Sequence, residues 1–344
     1  MKGLNEYMGR NVTIQDIAKA LGVSRNTVSK VFNEGHSIPL STREKVICKA
    51  IEMNYRNMGS LSRLASPENR SNGYFVLLSN TSLTDIIYWG NVIKGIESQA
   101  SADGYTLLIS TLHDRQIESL EIPRALNDDN VSGIICLELY NKQYLNSLLA
   151  LDIPVVFIDM IADYNTLDGH FDVLIPQSRS SIGAIVRRLT ENGAKRIGFA
   201  GSKNHCLSFS ERFYGFYDTL FECGLPYDPR FSIIGSDSVF CDINWANDFL
   251  GGMSELPDAI ICANDSLCAA IYFAAEKLGV RVPEQMIITG FDNVSDSRYG
   301  YMPQITVDVN RDLLGRRAAE QLVKRVLNPR SPNEIIHLET SPIF

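Results

Sequence analysis

The sequence lacks any long hydrophobic run. No window of about eighteen apolar residues, the length that a membrane-crossing helix needs, occurs in the 344 residues. The N-terminal stretch MKGLNEYMGR also lacks the apolar centre of a secretory signal. These absences predict a soluble, cytoplasmic protein with no membrane partner.

Cysteine is present but without a pattern that would indicate a role. The seven cysteines are odd in number and scattered, and none forms a Cys-x-x-Cys pair. Neither a disulfide framework nor a zinc site is therefore indicated. We expect no metal and no cofactor.

The common signatures of catalysis are missing as well. The chain contains no Gly-x-Ser-x-Gly elbow, no His-Glu-x-x-His and no Walker phosphate loop. Its five histidines lie in unrelated segments, so the sequence does not support a nucleophile–base pair. We expect that the protein is not an enzyme.

Residues 12–33 predict two short helices joined by a turn. Thr13 and Ser24 are good helix caps, and Gly22 has the backbone freedom that the turn requires. Val28 and Val31 would face inward. This leaves four polar side chains outside: Arg25, Asn26, Ser29 and Lys30. A helix with such a face fits the DNA major groove, so the pattern predicts a helix-turn-helix.

A third short helix is predicted to complete a compact headpiece. The segment Ser41-Thr42-Arg43-Glu44 is a capping box, and apolar residues follow it at helical spacing (Val46, Ile47, Ala50 and Ile51). Two capped helices around a glycine occur in many helical proteins. The third helix therefore adds weight to a DNA-binding interpretation.

Charge is distributed unevenly along the chain. Residues 1–64 carry ten Lys and Arg against five Asp and Glu, a net charge of +5 in a chain whose total is −8. The remaining 280 residues therefore carry −13. A basic module on an acidic body is typical of phosphate contact, although a solvated surface would explain the excess as well.

The rest of the chain alternates buried-strand patterns with amphipathic helical patterns. Strands are predicted at 74–78, 105–109, 133–137, 154–158, 196–200, 259–262 and 286–291. Helices are predicted at 89–102, 180–191, 212–223, 266–278 and 312–326. This alternation predicts two parallel sheets with helices on both faces, with ligand sites beyond the carboxyl ends of the strands.

Several motifs resemble those of the lac repressor (LacI/GalR) family. The headpiece segments Val-Thr-Ile-x-Asp-Ile-Ala and Gly-Val-Ser-x-x-Thr-Val-Ser match without a gap, and Ser210-Glu-Arg, Ala263-Asn-Asp and Gly290-Phe-Asp-Asn resemble the family's effector module. The resemblance implies an all-α helix-turn-helix headpiece at 1–58, a hinge helix and linker at 59–72, and a two-lobed α/β effector domain at 73–344. That domain would be similar to periplasmic binding proteins.

The resemblance also implies which residues touch DNA. Arg25 and Asn26 would face base edges, Lys30 would reach the groove, and Leu64 on the hinge helix would wedge into the minor groove. The complete implied set is Thr13, Ser24, Arg25, Asn26, Thr27, Ser29, Lys30, Asn33 and Leu64. The hinge departs from the family pattern at Asn57, Met58 and Leu61.

An effector site is implied in the cleft between the two lobes. The expected residues are Tyr88, Trp89, Asp159, Arg212, Asn264 and Asp292. Arg212 would clamp either a pair of ligand hydroxyls or a carboxylate. The two aromatic residues would either stack on the ligand or belong to the core.

The implied function is sequence-specific transcriptional regulation, most simply repression. A homodimer would bind a pseudo-palindromic operator, and a small molecule such as a sugar or related metabolite would control its affinity. The alternative is a cytoplasmic sugar-binding sensor whose headpiece contacts a protein partner.

Overall fold

The computed structural model describes five continuous segments and seven single positions. The segments are 12–33, 72–80, 86–235, 243–294 and 300–344, and the single positions are Pro39, Thr42, Lys45, Val46, Lys49, Ala50 and Met53. Contacts divide the chain into two compact units with a boundary after Gly73. The cap residues Ser41 and Glu44, the apolar positions Ile47 and Ile51, and the predicted hinge helix lie outside the described residues. The division into headpiece, hinge and effector domain stays a prediction.

The N-terminal unit contains the two predicted helices, α1 (Ile14–Leu21) and α2 (Arg25–Asn33). Thr13 and Asp16 form a capping box at the start of α1, in which the Thr13 amide donates to Asp16 Oδ2 over 2.9 Å. Gly22 ends α1 with φ +67°, a left-handed conformation that favours glycine. Among the described residues of this unit, the buried apolar side chains are Ile17, Ala18, Val28, Val31, Val46 and Ala50.

The second unit is built from alternating strands and helices. Its strands are β1 (Tyr74–Asn80), β2 (Thr106–Leu112), β3 (Val131–Leu137), β4 (Val155–Ile158), β5 (Phe171–Pro176), β6 (Ile197–Gly201), β7 (Ile233–Ile234), β8 (Ala259–Cys262), β9 (Ile287–Thr289), β10 (Thr306–Asp308), β11 (Ile335–Leu338) and β12 (Ser341–Ile343). Its α-helices are α3 (Ile86–Ala102), α4 (Asp114–Glu118), α5 (Lys142–Leu149), α6 (Arg179–Glu191), α7 (Leu207–Glu222), α8 (Ile243–Gly251), α9 (Asp265–Lys277) and α10 (Arg311–Leu327). Short 3₁₀ turns cover Arg124–Asn127, Tyr164–Thr166 and Pro229–Phe231.

A six-stranded parallel sheet forms the first lobe, in the order β11-β5-β4-β3-β1-β2. Successive side chains alternate between two cores: Val76 and Leu78 lie in one, and Phe75 and Leu77 lie in the other. Both faces are therefore covered, which explains why its strands appear in the sequence as continuous apolar runs. The predicted α/β class with parallel sheets is confirmed.

The second lobe contains a smaller parallel sheet in the order β7-β6-β8-β9. The antiparallel pair β10–β12 lies beside it, because Asp292, shortly after β9, bridges to Asp308 of β10. The described elements connect the lobes at three places: β5 to α6, β10 to α10, and β11 to β12.

The helices α3 and α10 cross with their backbones in direct contact. A Cβ atom added to Gly315 would lie 2.0 Å from the carbonyl oxygen of Val92, and one added to Gly95 would lie 2.2 Å from that of Asp312. Only glycine allows this approach. The crossing fixes α10 on the face of the first lobe.

A buried ion pair joins α10 to the first-lobe sheet. The guanidinium of Arg325 binds the carboxylate of Asp172 on β5, with Nε 2.9 Å from Oδ2, and neither side chain is exposed. Gln321 donates to the same carboxylate over 3.0 Å, and the amide of Glu334 does so over 2.8 Å. Arg325 also donates to the carbonyl of Ser331 over 2.7 Å. The network therefore binds the segment that leads into β11.

Arg325→Met should lower the free energy of unfolding by about 3–5 kcal/mol, because it leaves the Asp172 carboxylate buried without its cation. Arg316→Met on the same helix is the matched control. Its exposed pair with Asp312 should contribute less than about 1 kcal/mol. Urea unfolding of both variants measures the difference, and similar losses would show that the buried pair has no special weight.

Candidate functional site

The outer face of α2 is polar and open. Arg25, Asn26 and Lys30 are exposed, and no described residue forms a hydrogen bond or ion pair with their side chains. The buried Val28 and Val31 lie on the opposite face. Three polar side chains therefore project from the same face of one capped helix, a face of the kind that can enter a DNA major groove.

The other predicted DNA-contacting residues have mixed surroundings. Ser24 caps α2 by accepting the amide of Thr27 over 3.0 Å, and the two hydroxyls lie 2.8 Å apart. Ser29 is half-buried, whereas Thr13 is exposed. The side chain of Asn33 and the whole of Leu64 lie outside the described residues.

In the second unit, polar residues follow the carboxyl ends of β4, β8 and β9. Asp159 comes directly after β4 with φ +58°, and Asp292 follows β9 with φ +110°. Asn264 lies between β8 and α9. Positive φ values at non-glycine residues are strained, and such residues concentrate at functional sites. These strand ends are the candidate ligand site of the α/β unit.

Arg212 on α7 is the buried centre of this site, with 3% of its surface exposed. Its Nη1 donates to the carbonyl of Ala263 over 2.6 Å, and its Nη2 lies 3.4 Å from Asp292 Oδ1. Its Nε donates to Ser178 Oγ over 3.4 Å, and Cζ lies 3.7 Å from the centre of the Phe291 ring. The guanidinium is thereby held in one orientation by hydrogen bonds and stacking.

Asp159 binds the N-terminus of α7. Its Oδ1 accepts the amide of Ser208 over 3.1 Å, and its Oδ2 accepts the Ser208 hydroxyl over 2.5 Å. Asp159 belongs to the first lobe and Ser208 to the second, so one carboxylate caps a helix across the cleft.

Two further pairs connect the lobes. The rings of Tyr140 and His205 lie 4.5 Å apart. His337 on β11 has its Nδ1 3.7 Å from Oε2 of Glu211 on α7, and burial raises the pKa of that carboxyl despite the neighbouring histidine. These contacts lie at the same junction as Asp159, so several side chains depend on the angle between the lobes.

Asn264 is the N-cap of α9. Its Oδ1 accepts the amide of Leu267 over 2.9 Å, whereas its Nδ2 has no partner among the described residues. Asp265 follows it and is fully buried, accepting the amide of Val294 and the hydroxyl of Thr306. Burial, with a contribution from the charge of Asp292, raises the pKa of Asp265 to about 8.

The predicted aromatic pair is packed in the core. Tyr88 and Trp89 are each 8% exposed, and their rings meet edge to face at 4.8 Å. Arg311 lies with Cζ 6.0 Å from the centre of the Tyr88 ring. Burial and, second, the charge of Asp292 raise the pKa of the Tyr88 hydroxyl. Tyr88 is therefore a neutral core residue whose hydroxyl interacts electrostatically with the charged side chains of the site.

The structure brings together Tyr88, Asp159, Arg212 and Asp292, and it adds residues that sequence reasoning missed. Ser208 is one helical turn before Arg212, a spacing that places both on one face of α7. Phe291 lies inside the Gly290-Phe-Asp-Asn motif. Ser178 and Arg311 carry no comparable signal, because their partners come from distant segments.

The described residues offer neither a metal site nor a membrane span. They contain no group of three or more His, Cys, Asp or Glu side chains placed to bind a metal ion. None of their helices has both the length and the apolarity that crossing a bilayer requires.

Comparison with known families gives two matches on separate parts of the chain. Residues 13–57 match the family described as bacterial regulatory proteins, lacI family. Residues 186–344 match the periplasmic binding protein-like domain.

Individual proteins resemble almost the whole chain. The HTH-type transcriptional repressor PurR of Photobacterium profundum is 26% identical over 330 residues, covering 95% of each chain, and that of Vibrio atlanticus is 28% identical over 317 residues, covering 91% and 92%. A complex of the transcriptional regulator CelR with cellobiose superposes with a TM-score of 0.68 at 21% identity, covering 97% of this chain and 99% of CelR. The lac repressor dimer bound to operator and the anti-inducer ONPF gives 0.62 at 22%, covering 97% and 98%.

The raised pKa of Asp265 should make stability fall with rising pH. Below about pH 4 its carboxyl is protonated in both the folded and the unfolded state. Between that pH and about 8 only the unfolded state loses the proton, so unfolding becomes progressively more favourable. Asp265→Asn removes this contribution, while its amide can still accept from Val294 and donate to Thr306.

The unfolding free energy of Asp265→Asn should therefore rise relative to the parent protein by about one to a few kcal/mol from pH 5 to pH 8. Asp163→Asn, which removes an exposed carboxylate paired with Lys142, is the control and should give a much smaller change over this range. Denaturant titrations at several pH values measure the gap. A gap that stays constant would mean that Asp265 is ionised in the folded protein.

Proposed function

This chain belongs to the lacI family of bacterial regulatory proteins, and we propose on that premise that it represses transcription from an operator whose occupancy a small molecule controls. The observation that carries the proposal is the outer face of α2. There, Arg25, Asn26 and Lys30 project from a rigid, doubly capped helix pair. A homodimer would place two such faces on a pseudo-palindromic operator.

The effector side of the proposal rests on the strand-end site. Arg212 contacts Asp292, and Asp159 binds the first turn of the same helix α7, while Asn264 follows Ala263, whose carbonyl accepts from Arg212. A ligand that bonded to both lobes would change the angle between them, and the coupling to DNA affinity would be about 1–3 kcal/mol. The similarity to a regulator solved with cellobiose supports a sugar or a related metabolite as the effector class.

We also propose that the protein is not an enzyme and that it acts in the cytoplasm, where its DNA lies. The curated relatives named above are transcriptional repressors. The alternative of a sugar sensor that acts through a protein partner requires the headpiece to bind protein. The polar outer face of α2 and the net positive charge of residues 1–64 favour DNA over protein as the partner of the headpiece.

Arg25→Ala should relax base preference at one position of the selected site by about 1–3 kcal/mol. Binding sites selected from a random duplex library by the parent protein and by the variant measure this. Lys45→Ala is the matched control, since Lys45 is an exposed cation of the same unit. It should weaken binding to all sequences and reduce the salt slope by about 1. Identical selected sites for Arg25→Ala would refute the base contact.

Asn264→Ser should weaken effector binding about tenfold, because serine keeps the cap of α9 but lacks the amide donor. Thermal unfolding against sugars, sugar phosphates, nucleosides and amino acids identifies a ligand, which at one hundred times its Kd stabilises by about 2.7 kcal/mol. The unliganded variant should unfold within about 0.5 kcal/mol of the parent. Unchanged ligand affinity would place Asn264 outside the site.

A further inference from the structure

Two of the connections between the lobes run side by side. The first, residues 177–178, joins β5 to α6, and the second, residues 339–340, joins β11 to β12. The amide of Gln177 donates to the carbonyl of Leu338 over 2.7 Å, and the hydroxyl of Thr340 donates to the carbonyl of Gln177 over 2.7 Å. Because hydrogen bonds join the two connections, a change in the angle between the lobes has to bend them together.

The carboxylate of Glu211 on α7 lies against both connections. The backbone amide of Ser178, in the first connection, interacts with this carboxylate. The imidazole of His337, two residues before the second connection, has its Nδ1 3.7 Å from Oε2 of Glu211. That separation is too long for a hydrogen bond but short enough for an ion pair. Since His337 belongs to the first lobe and Glu211 to the second, the contact spans the junction at the point where the lobe angle is set.

The carboxylate oxygen that faces His337 has no donor. Oε2 of Glu211 is buried and forms no hydrogen bond with any described residue. The His337 side chain is 38% exposed, so solvent protons can reach its imidazole. A buried carboxylate oxygen without a donor is unfavourable. One added proton removes this defect, because an imidazolium ion or a protonated carboxyl makes the two groups complementary.

The other charges around Glu211 are committed elsewhere. Burial raises the pKa of the Glu211 carboxyl; the charges of His337 and Arg179 oppose this effect, and that of Asp159 adds to it. Arg179 on α6 forms its own ion pair with Asp218 on α7. Asp159 accepts its hydrogen bonds from the first turn of α7. His337 is therefore the group that can bring a proton to Oε2.

We propose that Glu211 and His337 are positioning residues that together bind one proton, and that this proton favours the lobe arrangement of the present structure. In an arrangement that separates them, water would hydrate both side chains, and a free imidazole releases its proton near pH 6.5. When the two groups are adjacent, the pair holds the proton more tightly, because imidazolium and carboxylate stabilise each other. Proton uptake and contact between the lobes therefore reinforce each other.

The direction of the pH dependence follows from this linkage. Below about pH 6 the imidazole carries its proton in either arrangement, so the preference for the present arrangement is complete. As the pH rises through about 6.5, the separated arrangement releases its proton first, and the preference declines by at most about tenfold per pH unit. The consequence for operator affinity rests on the proposed function, whereas the proton linkage between the lobes does not.

A double-mutant cycle on the full-length protein tests the linkage without DNA or effector. Urea unfolding of the parent, Glu211→Gln, His337→Gln and the double variant should give a coupling of about three- to tenfold in the unfolding constant at pH 6. At pH 8 the factor should fall toward one. His170→Gln, which changes an exposed histidine of the first lobe, is the matched control and should not couple to Glu211→Gln at either pH. A factor near one at pH 6, or one that is the same at both pH values, would overturn the proposal.

DNA affinity provides the second readout. Binding to a duplex selected by the parent protein is measured at pH 6 and pH 8 at constant ionic strength. The ratio of parent to variant affinity should change about threefold or more between these pH values for Glu211→Gln and for His337→Gln, but not for His170→Gln. Constant ratios for the first two variants would overturn the positioning role and leave the proposed function intact. A parent protein that selects no duplex would contradict the proposed function, and the unfolding cycle would still decide the proton linkage.

Discussion

The second lobe depends on keeping one positive charge inside the protein. The Arg212 guanidinium is almost fully buried, and a buried charge is tolerated only when partners surround it. Those partners come from separate elements: the end of β8 supplies a carbonyl, the segment after β9 supplies a carboxylate and an aromatic face, and the start of α6 supplies a hydroxyl. The geometry of the strand ends follows from this requirement.

The same requirement makes the site sensitive to the position of the lobes. Asp159 belongs to the first lobe, but its hydrogen bonds go to the first turn of α7, the helix that carries Arg212. A change in the lobe angle therefore alters the cap of that helix and the surroundings of its guanidinium together. At the proposed effector site, the same helix would carry both a ligand contact and a contact between the lobes.

The sequence predicted features that depend on neighbouring residues better than contacts between residues far apart in the chain. The caps at Thr13 and Ser24 are specified within three residues of their partners, and all seven predicted strands exist, with ends shifted by up to three residues. The strand β5 was missed because Asp172 interrupts its apolar run, and the ion-pair partner of that buried carboxylate, Arg325, lies 153 residues later. Likewise, no local pattern places Ser208 beside Asp159, since the two meet through tertiary packing alone.

The sheet of the first lobe has a consequence for synthesis on the ribosome. Its edge strand β11 pairs with β5, yet most of the second lobe lies between the two in sequence. Until α10 emerges, the nascent chain must hold Asp172 without its arginine, which favours a solvated β5 over a buried one. The sheet of the first lobe can therefore be completed only after α10 and β11 have been synthesised, and these follow most of the second lobe in sequence.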